Sequence, residues 1–548
     1  MNKLMTAAMA ATLSFGGSVM AQDTPLDAAA SDPVTMGWMQ GFPPAPAMTI
    51  RFTDADFFSF PKLRWTVCHF RELMPTVSVP NASGSVSMLP ADLDAGIDAV
   101  EFKVLNSDEK MTFDAAFDVN YTDGLLVLHH GRIVYERYDG CLTESTLHGA
   151  MSVTKSITGL MAEALIAEGR LNETAPMSDV IPELADSAFG NATVVQVLEM
   201  TTALDYSEDE SDPDAEFWRF AEAGSPLPRP EGYEGPRSYY EYLMTVQQNE
   251  DAHGDAFAYK TVNSDAVGWL VARTTGVSVA QYLSERIWRR IGAEREAFYT
   301  VDSISTPFSG GGFNATLRDM GRLGQLILQR GKWNGKQVIP AAAIDRIRQG
   351  GDHDAFTRAG YDLLPGWTYR GQWWVSHDDN GAFAARGVHG QTIWIDPTAD
   401  MVIVRFASHP VANNAGNDPT SLPAYRAVAA YLMAQDDAPM LVGREWLIEN
   451  IAGRGVIDRS PASLQFLPDG SLAGNTTCNR LIGLFEADEG ALTLELTGTT
   501  MMACPPAMAN QEQNLLDFLA QVISYSVDDT GALILETARG ETITARRR

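Results

Sequence analysis

S-V-T-K-S-I-T-G-L-M-A-E-A-L-I-A-E-G, residues 152–169, sets a hydroxyl and an amine one helical turn apart at the head of an apolar run. Ile157, Leu160, Met161 and Leu165 recur at helical spacing and Gly169 supplies a stop, so the stretch reads as a helix with Ser152 in its first turn. A helix N-terminus stabilises developing negative charge. A lysine drawn out of water gives up its proton more readily. Ser152 is therefore the candidate nucleophile, and Lys155, one turn on, the candidate base. Taken alone the tetrad reads better as a capping serine beside a solvated lysine, because helix starts favour Ser.

Context separates this tetrad from its copies. Ser59/Lys62 and Ser107/Lys110 match S-x-x-K as well, but the first pair flanks Pro61 and the second sits in a polar turn, N-S-D-E-K. Two further stretches add to Ser152. Y-K-T-V-N at 259–263 places Tyr259 and Thr261 two residues apart just before an apolar helical segment. R-G-V-H-G-Q at 386–391 is a glycine-rich strand start, where backbone can approach a ligand closely. There is no G-x-S-x-G and no H-E-x-x-H.

The rest of the chain sets the bounds. It has 548 residues, 45% of them hydrophobic, enough to bury a sizeable core, and 40 basic against 70 acidic side chains leave a formal charge of −30. That acidity argues against a nucleic-acid partner or an anionic membrane surface. Residues 1–21 read as a secretory signal peptide: Lys3, an apolar stretch, then V-M-A before Gln22. Residues 22–35 read as a flexible leader. No other apolar run is long enough to span a bilayer, so a periplasmic or secreted protein without a membrane span is expected. The four cysteines fall into two distant groups, favouring Cys68–Cys141 and Cys478–Cys504 among three connectivities, and with no C-x-x-C pair neither metal nor cofactor is expected.

Strand and helix patterns divide the chain in two. Trp38 to Pro90, rich in Pro and aromatic residues, reads as a wrapping segment of short strands. Leu125–His130 and Ile133–Tyr138 read as a hairpin, residues 150–345 as mainly helical, and Gln372–Phe406 as strands again, closed by a helix over Pro423–Gln435. An α+β domain over 36–436 follows, its antiparallel sheet completed by both ends. Residues 441–548 read as a separate small β-rich domain.

In this order S-x-x-K, Y-x-[NST] and a glycine-bearing strand resemble the penicillin-recognising, β-lactamase-related serine hydrolases. W-M-Q-G-F-P-P at 38–44, S-V-T-K-S at 152–156, G-G-G-F-N-A-T-L-R-D at 310–319 and G-V-H-G-Q at 387–391 are most similar to 6-aminohexanoate-dimer hydrolases and related carboxylesterases. The resemblance implies an antiparallel sheet flanked by helices, with a helical subdomain across the site. It makes Ser152 the acylated nucleophile, with Lys155 and Tyr259 sharing its proton and the phenol gaining acidity beside the cation. Thr261 would contact substrate, His389 would lie close by, and the Ser152 and Val388 N–H groups would form the oxyanion hole.

Two departures stand out. Ala385 occupies the place of the cation that lactam-processing relatives carry before T-G, leaving Arg386 as the nearest substitute. The positions where nylon-oligomer hydrolases bind an amine match Glu210 and Ala221, inside or beyond an acidic run, E-D-E-S-D-P-D at 208–214, that reads as solvated surface. His129 and His130 read as structural. The tail, with Cys478-Asn479-Arg480 and T-M-M-A-C at 500–504, resembles the META (HslJ-like) domain. The expected function is an exported serine hydrolase for small esters or amides. A β-lactamase or D-Ala-D-Ala peptidase, and a non-catalytic envelope protein, are the alternatives.

Overall fold

Leu125, Leu126, Val127 and Leu128 are all buried, a run too apolar for a strand with one wet face, and the sheet it belongs to is covered on both sides. The computed structural model describes residues 25–547, apart from 85, 210, 211, 213, 438–440, 458–461, 489 and 529. The expected signal peptide, 1–21, lies outside them. Two units are present, Met1–Ala429 and Ala430–Arg548, dividing within the helix that the sequence places at the end of the first domain.

The first unit is built on seven antiparallel strands. In chain order they are β1 (Thr122–His129), β2 (Arg132–Tyr138), β3 (Thr368–Arg370), β4 (Trp373–Val375), β5 (Phe383–Gly387), β6 (Gln391–Asp396) and β7 (Met401–Ala407). Their spatial order is β3-β4-β5-β6-β7-β1-β2, so the early hairpin joins the late strands, with Val127 opposite Ile403.

Helices α1 (Val153–Ala167) and α3 (Leu317–Leu328) lie on this sheet, α2 (Val262–Thr275) packs against α1, and α4 (Asp418–Asp437) follows the last strand. α3 lies flat on the strands because Gly321 and Gly324 face them. A β-carbon at either would come within 2.5 Å of Leu126 or Val402. α1 runs its apolar side into the core, with Ile157, Leu160, Met161 and Leu165 fully buried.

Three sequence expectations change here. Trp38–Pro90 holds one strand, Thr76–Val79, paired with Ala297–Thr300; the rest is turns and short helices. Its aromatic residues bury against each other, Ile50, Phe52, Phe57 and Trp65 forming their own cluster, so no ladder is needed to hide them. The expected flexible leader is docked over residues 25–35. Arg64 is buried, donates to the carbonyl of Ala28 and to Ser31 Oγ, and reaches Asp123 at 3.2 Å, so the leader supplies acceptors that a buried guanidinium requires. The closing helix starts at Asp418, ahead of Pro423, where the Ser421 hydroxyl donates back to the Asn417 carbonyl at 2.8 Å. Cys68 and Cys141 are bonded, their Cα atoms 6.1 Å apart.

The second unit is a closed barrel. β8 (Glu445–Ile451), β9 (Ala462–Phe466), β10 (Ser471–Thr476), β11 (Arg480–Asp488), β12 (Ala491–Thr499), β13 (Val522–Val527), β14 (Leu533–Thr537) and β15 (Thr542–Arg547) pair in sequence, and β8 pairs with β15 to complete the ring. Trp446, Leu464, Phe466, Leu535 and Ile543 fill it, α5 (Pro506–Leu519) packs on the strands, and Cys478 is bonded to Cys504.

Candidate active site

The chain turns sharply into α1: Met151 takes a φ of +46° and Ser152 follows at −68°, leaving the Ser152 hydroxyl at the helix start. Lys155 Nζ donates to Ser152 Oγ at 3.0 Å and to the Gly310 carbonyl at 2.6 Å. Lys155 is 1% exposed. Burial lowers its proton affinity, opposed by the charges of Glu208 and Asp265. A lysine so placed reaches its neutral form far more easily than one in water.

Tyr259 completes the group. Its phenol is hydrogen-bonded to the Ser152 side chain, and its ring lies 5.2 Å from Lys155 Nζ and stacks on Trp374 at 5.7 Å. The expectation that the neighbouring cation makes this phenol more acidic does not hold. Burial pushes it well above its usual value, the Glu208 charge adds to that, and the Ser152 hydrogen bond recovers only part. Tyr259 keeps its proton.

Opposite Ser152 runs the end of β5. A β-carbon on Gly387 would sit 2.9 Å from the Ser152 nitrogen and 3.0 Å from the Ala150 carbonyl oxygen, so only glycine lets the strand pass. Val388 follows directly and, with Ser152, lines a cleft of about 800 Å³. Glu208, Tyr259, Trp374 and Arg386 form other parts of its wall. Alternation along β5 explains the missing cation: Ala385 is fully buried in the core, whereas Arg386 faces the cleft, paired with Asp418 and 5.3 Å from the Trp374 ring.

Two expected contacts fall elsewhere. Thr261 donates its backbone N–H to Glu208 and is not among the residues lining the cleft. His389 takes a φ of +61°, donates from Nδ1 to the His409 carbonyl at 2.7 Å and sets its ring edge-on to Phe58. It too is absent from the cleft wall, and burial lowers it to about 4.

Glu208, expected in solvated surface, instead reaches the cleft and accepts from Thr261. Burial raises it, and Lys155 pulls it back. Glu210 lies outside the described residues, and Ala221 is on the helix Glu216–Gly224. The lysines of the other two tetrads are taken up in ion pairs: the largely covered Lys62 with Asp56 at 2.7 Å and the exposed Lys110 with Glu101 at 3.2 Å.

Asp265 was missed. It is 1% exposed on the first turn of α2 and acts on Lys155 by charge. An aspartate directly ahead of the apolar run A-V-G-W-L-V-A at 266–272 is the signal that could have found it.

The Beta-lactamase family model matches residues 121–425 and the META domain model residues 439–548. The 6-aminohexanoate-dimer hydrolase of Paenarthrobacter ureafaciens is 32% identical over 351 residues, 64% of this chain and 86% of that protein. A solved chain from Bacillus anthracis, described as a candidate 6-aminohexanoate-dimer hydrolase, is 32% identical with a TM-score of 0.62, covering 69% of this chain and 96% of that one.

Proposed function

This chain belongs to the Beta-lactamase family, and from that premise we propose that it is an exported serine hydrolase cleaving small carboxylic esters or amides through an acyl-enzyme on Ser152. The observation that carries the reading is the 3.0 Å contact between Lys155 Nζ and Ser152 Oγ beside the cleft.

In this reading neutral Lys155 accepts the Ser152 proton as Oγ bonds to the substrate carbonyl carbon. The carbonyl electron pair moves onto oxygen, which the Ser152 and Val388 N–H groups receive. When the tetrahedral centre collapses, the bond to the alkoxy or amino group breaks and that group takes a proton from Tyr259. Lys155 then returns its proton to Tyr259. Water enters, gives a proton to the same relay, attacks the acyl carbon and releases the acid, and Ser152 recovers its hydrogen. Export is supported by the character of residues 1–21 and by two disulfides.

The test is a fluorophosphonate, with peptide mapping, beside a panel of short p-nitrophenyl esters, a linear amide and a chromogenic cephalosporin. One adduct per chain on Ser152 and turnover of esters or the amide are expected. Labelling that persists in Ser152→Ala removes the nucleophile assignment. Faster turnover of the cephalosporin than of every ester would make lactam processing the better reading. A folded protein that neither labels nor turns anything over would favour a binding role.

A further inference from the structure

Lys155 Nζ is anchored on one side by Ser152 and on the other by the carbonyl of Gly310, a residue 155 positions away. The Ser309–Gly310 segment is held from both helices: the Thr158 hydroxyl of α1 donates to the Ser309 carbonyl at 3.3 Å, and from α2 Asp265 Oδ1 accepts from the Ser309 N–H at 2.9 Å. Asp265 Oδ2 is buried against Gly310, whose backbone N–H also acts on the carboxylate. A buried carboxylate is costly unless a cation opposes it, and Lys155 is the cation whose charge acts on this one. The fit leaves no slack. A β-carbon on Gly310 would come within 2.4 Å of Thr261 Cγ2 and 2.9 Å of Asp265 Oδ2.

We propose that Asp265 is a positioning residue for Lys155: its carboxylate fixes the Ser309–Gly310 backbone so that the Gly310 carbonyl holds Nζ against Ser152, and its charge sets the pH at which Nζ becomes neutral. The inference rests on the reading of Lys155 as the base that activates Ser152. Other groups surround the pair. Glu208 and the Tyr259 ring face Lys155, while Asp302 and the phenols of Tyr206, Tyr239 and Tyr240 act on Asp265. Burial raises all three of those phenols, so they stay uncharged; it raises Asp265 and Glu208 as well, and the Lys155 charge pulls both back, so the carboxylates and the ammonium hold one another in charged form.

The sign follows directly. A carboxylate near Lys155 keeps it protonated to higher pH, and acylation accelerates as Lys155 loses its proton. Asp265→Asn keeps an oxygen for Ser309 N–H but removes the charge, so the acidic limb of the rate profile moves to lower pH by about one unit. Asp265→Ala removes the acceptor as well and lowers the acylation rate about tenfold or more through misplacement of Nζ.

The measurement is the second-order rate of fluorophosphonate acylation of Ser152 against pH in the full chain, for wild type, Asp265→Asn, Asp265→Ala and Lys155→Ala. Loss of acylation in Lys155→Ala together with a shifted limb in Asp265→Asn supports the proposal. Should Asp265→Ala fail to fold, the Asp265→Asn limb decides alone. If Lys155→Ala is inactive while the Asp265→Asn profile superimposes on wild type, Asp265 has no such role and the base reading survives. If Lys155→Ala acylates with the wild-type profile, the base reading falls and this inference goes with it. A merely structural Asp265 would lower rates without moving the limb, and that result also overturns the proposal.

Discussion

Gly387 passes so close to Ser152 that a β-carbon there would lie 2.9 Å from the Ser152 nitrogen. The closeness brings two backbone segments, one ending a strand and one starting a helix, to the same edge of the cleft. Gly387→Ala must push them apart. The expected result is a fall in kcat of about 100-fold, the scale of losing one oxyanion donor, with KM changed far less. Steady-state ester hydrolysis alongside circular dichroism checks it; near-normal kcat in a folded variant would show that the two segments do not act together.

Tyr259→Phe keeps the ring on Trp374 and removes only the donor that burial keeps protonated. A loss in kcat of about 100-fold or more with unchanged melting temperature is expected. Because the donated proton goes to the leaving group, the loss should shrink for esters of acidic phenols, which leave without it. An equal loss for p-nitrophenyl and ethyl esters would place Tyr259 outside leaving-group protonation.

Ala385 is fully buried on the core side of β5. Ala385→Lys therefore inserts an unpaired ammonium into the core instead of restoring a cation to the cleft. It should destabilise the first unit by about 3 kcal/mol or more and leave cephalosporin turnover unimproved. Denaturant unfolding measures the first and hydrolysis assays the second. A stable variant with new lactam activity would mean that position 385 reaches the cleft.

His389 supplies a pH dependence. Burial lowers its imidazole to about 4, below the free value of 6.5, so as pH falls the unfolded chain binds a proton that the folded chain still refuses. Its contribution to stability is complete above about pH 6.5 and is lost on the way down to about pH 4, on the order of 3 kcal/mol in all. His389→Asn tolerates the positive φ and does not titrate. Urea unfolding at pH 7 and at pH 4.5 should show a smaller gap for this variant than for wild type. Equal gaps would show that His389 is protonated in the fold.

What was legible in the sequence was whatever is written locally. The helix carrying Ser152 and Lys155 could be read because one apolar stripe and one stop define it, and the strands after Gln372 because glycines punctuate them. The sheet joining early and late strands, a small β-rich second domain and the favoured disulfides followed from pattern order and spacing, whereas the closure of that domain by Glu445–Ile451 against Thr542–Arg547 pairs segments too far apart in sequence to be read. Asp265 could not be assigned, since its partner Ser309 is 44 positions away and its target Lys155 lies on another helix. Glu208 was hidden for the same reason: an acidic run looks solvated until Thr261 and Lys155 are folded against one member of it. His389 was misplaced by one dihedral. Adjacent to Val388 in sequence, it adopts a φ of +61° and ends on the His409 carbonyl, away from the cleft.

The pairing of Val127 with Ile403 has a consequence for the newborn chain. A ribosome spends on the order of tens of seconds making the residues between those two strands. For most of that interval Ser152 and Lys155 have been made, while Gly387, Val388 and the strand of Ile403 do not yet exist. Meanwhile an eight-residue strand that ends wholly buried, Thr122–His129, waits without a neighbour on its central side, and it is the segment a chaperone would have to shield.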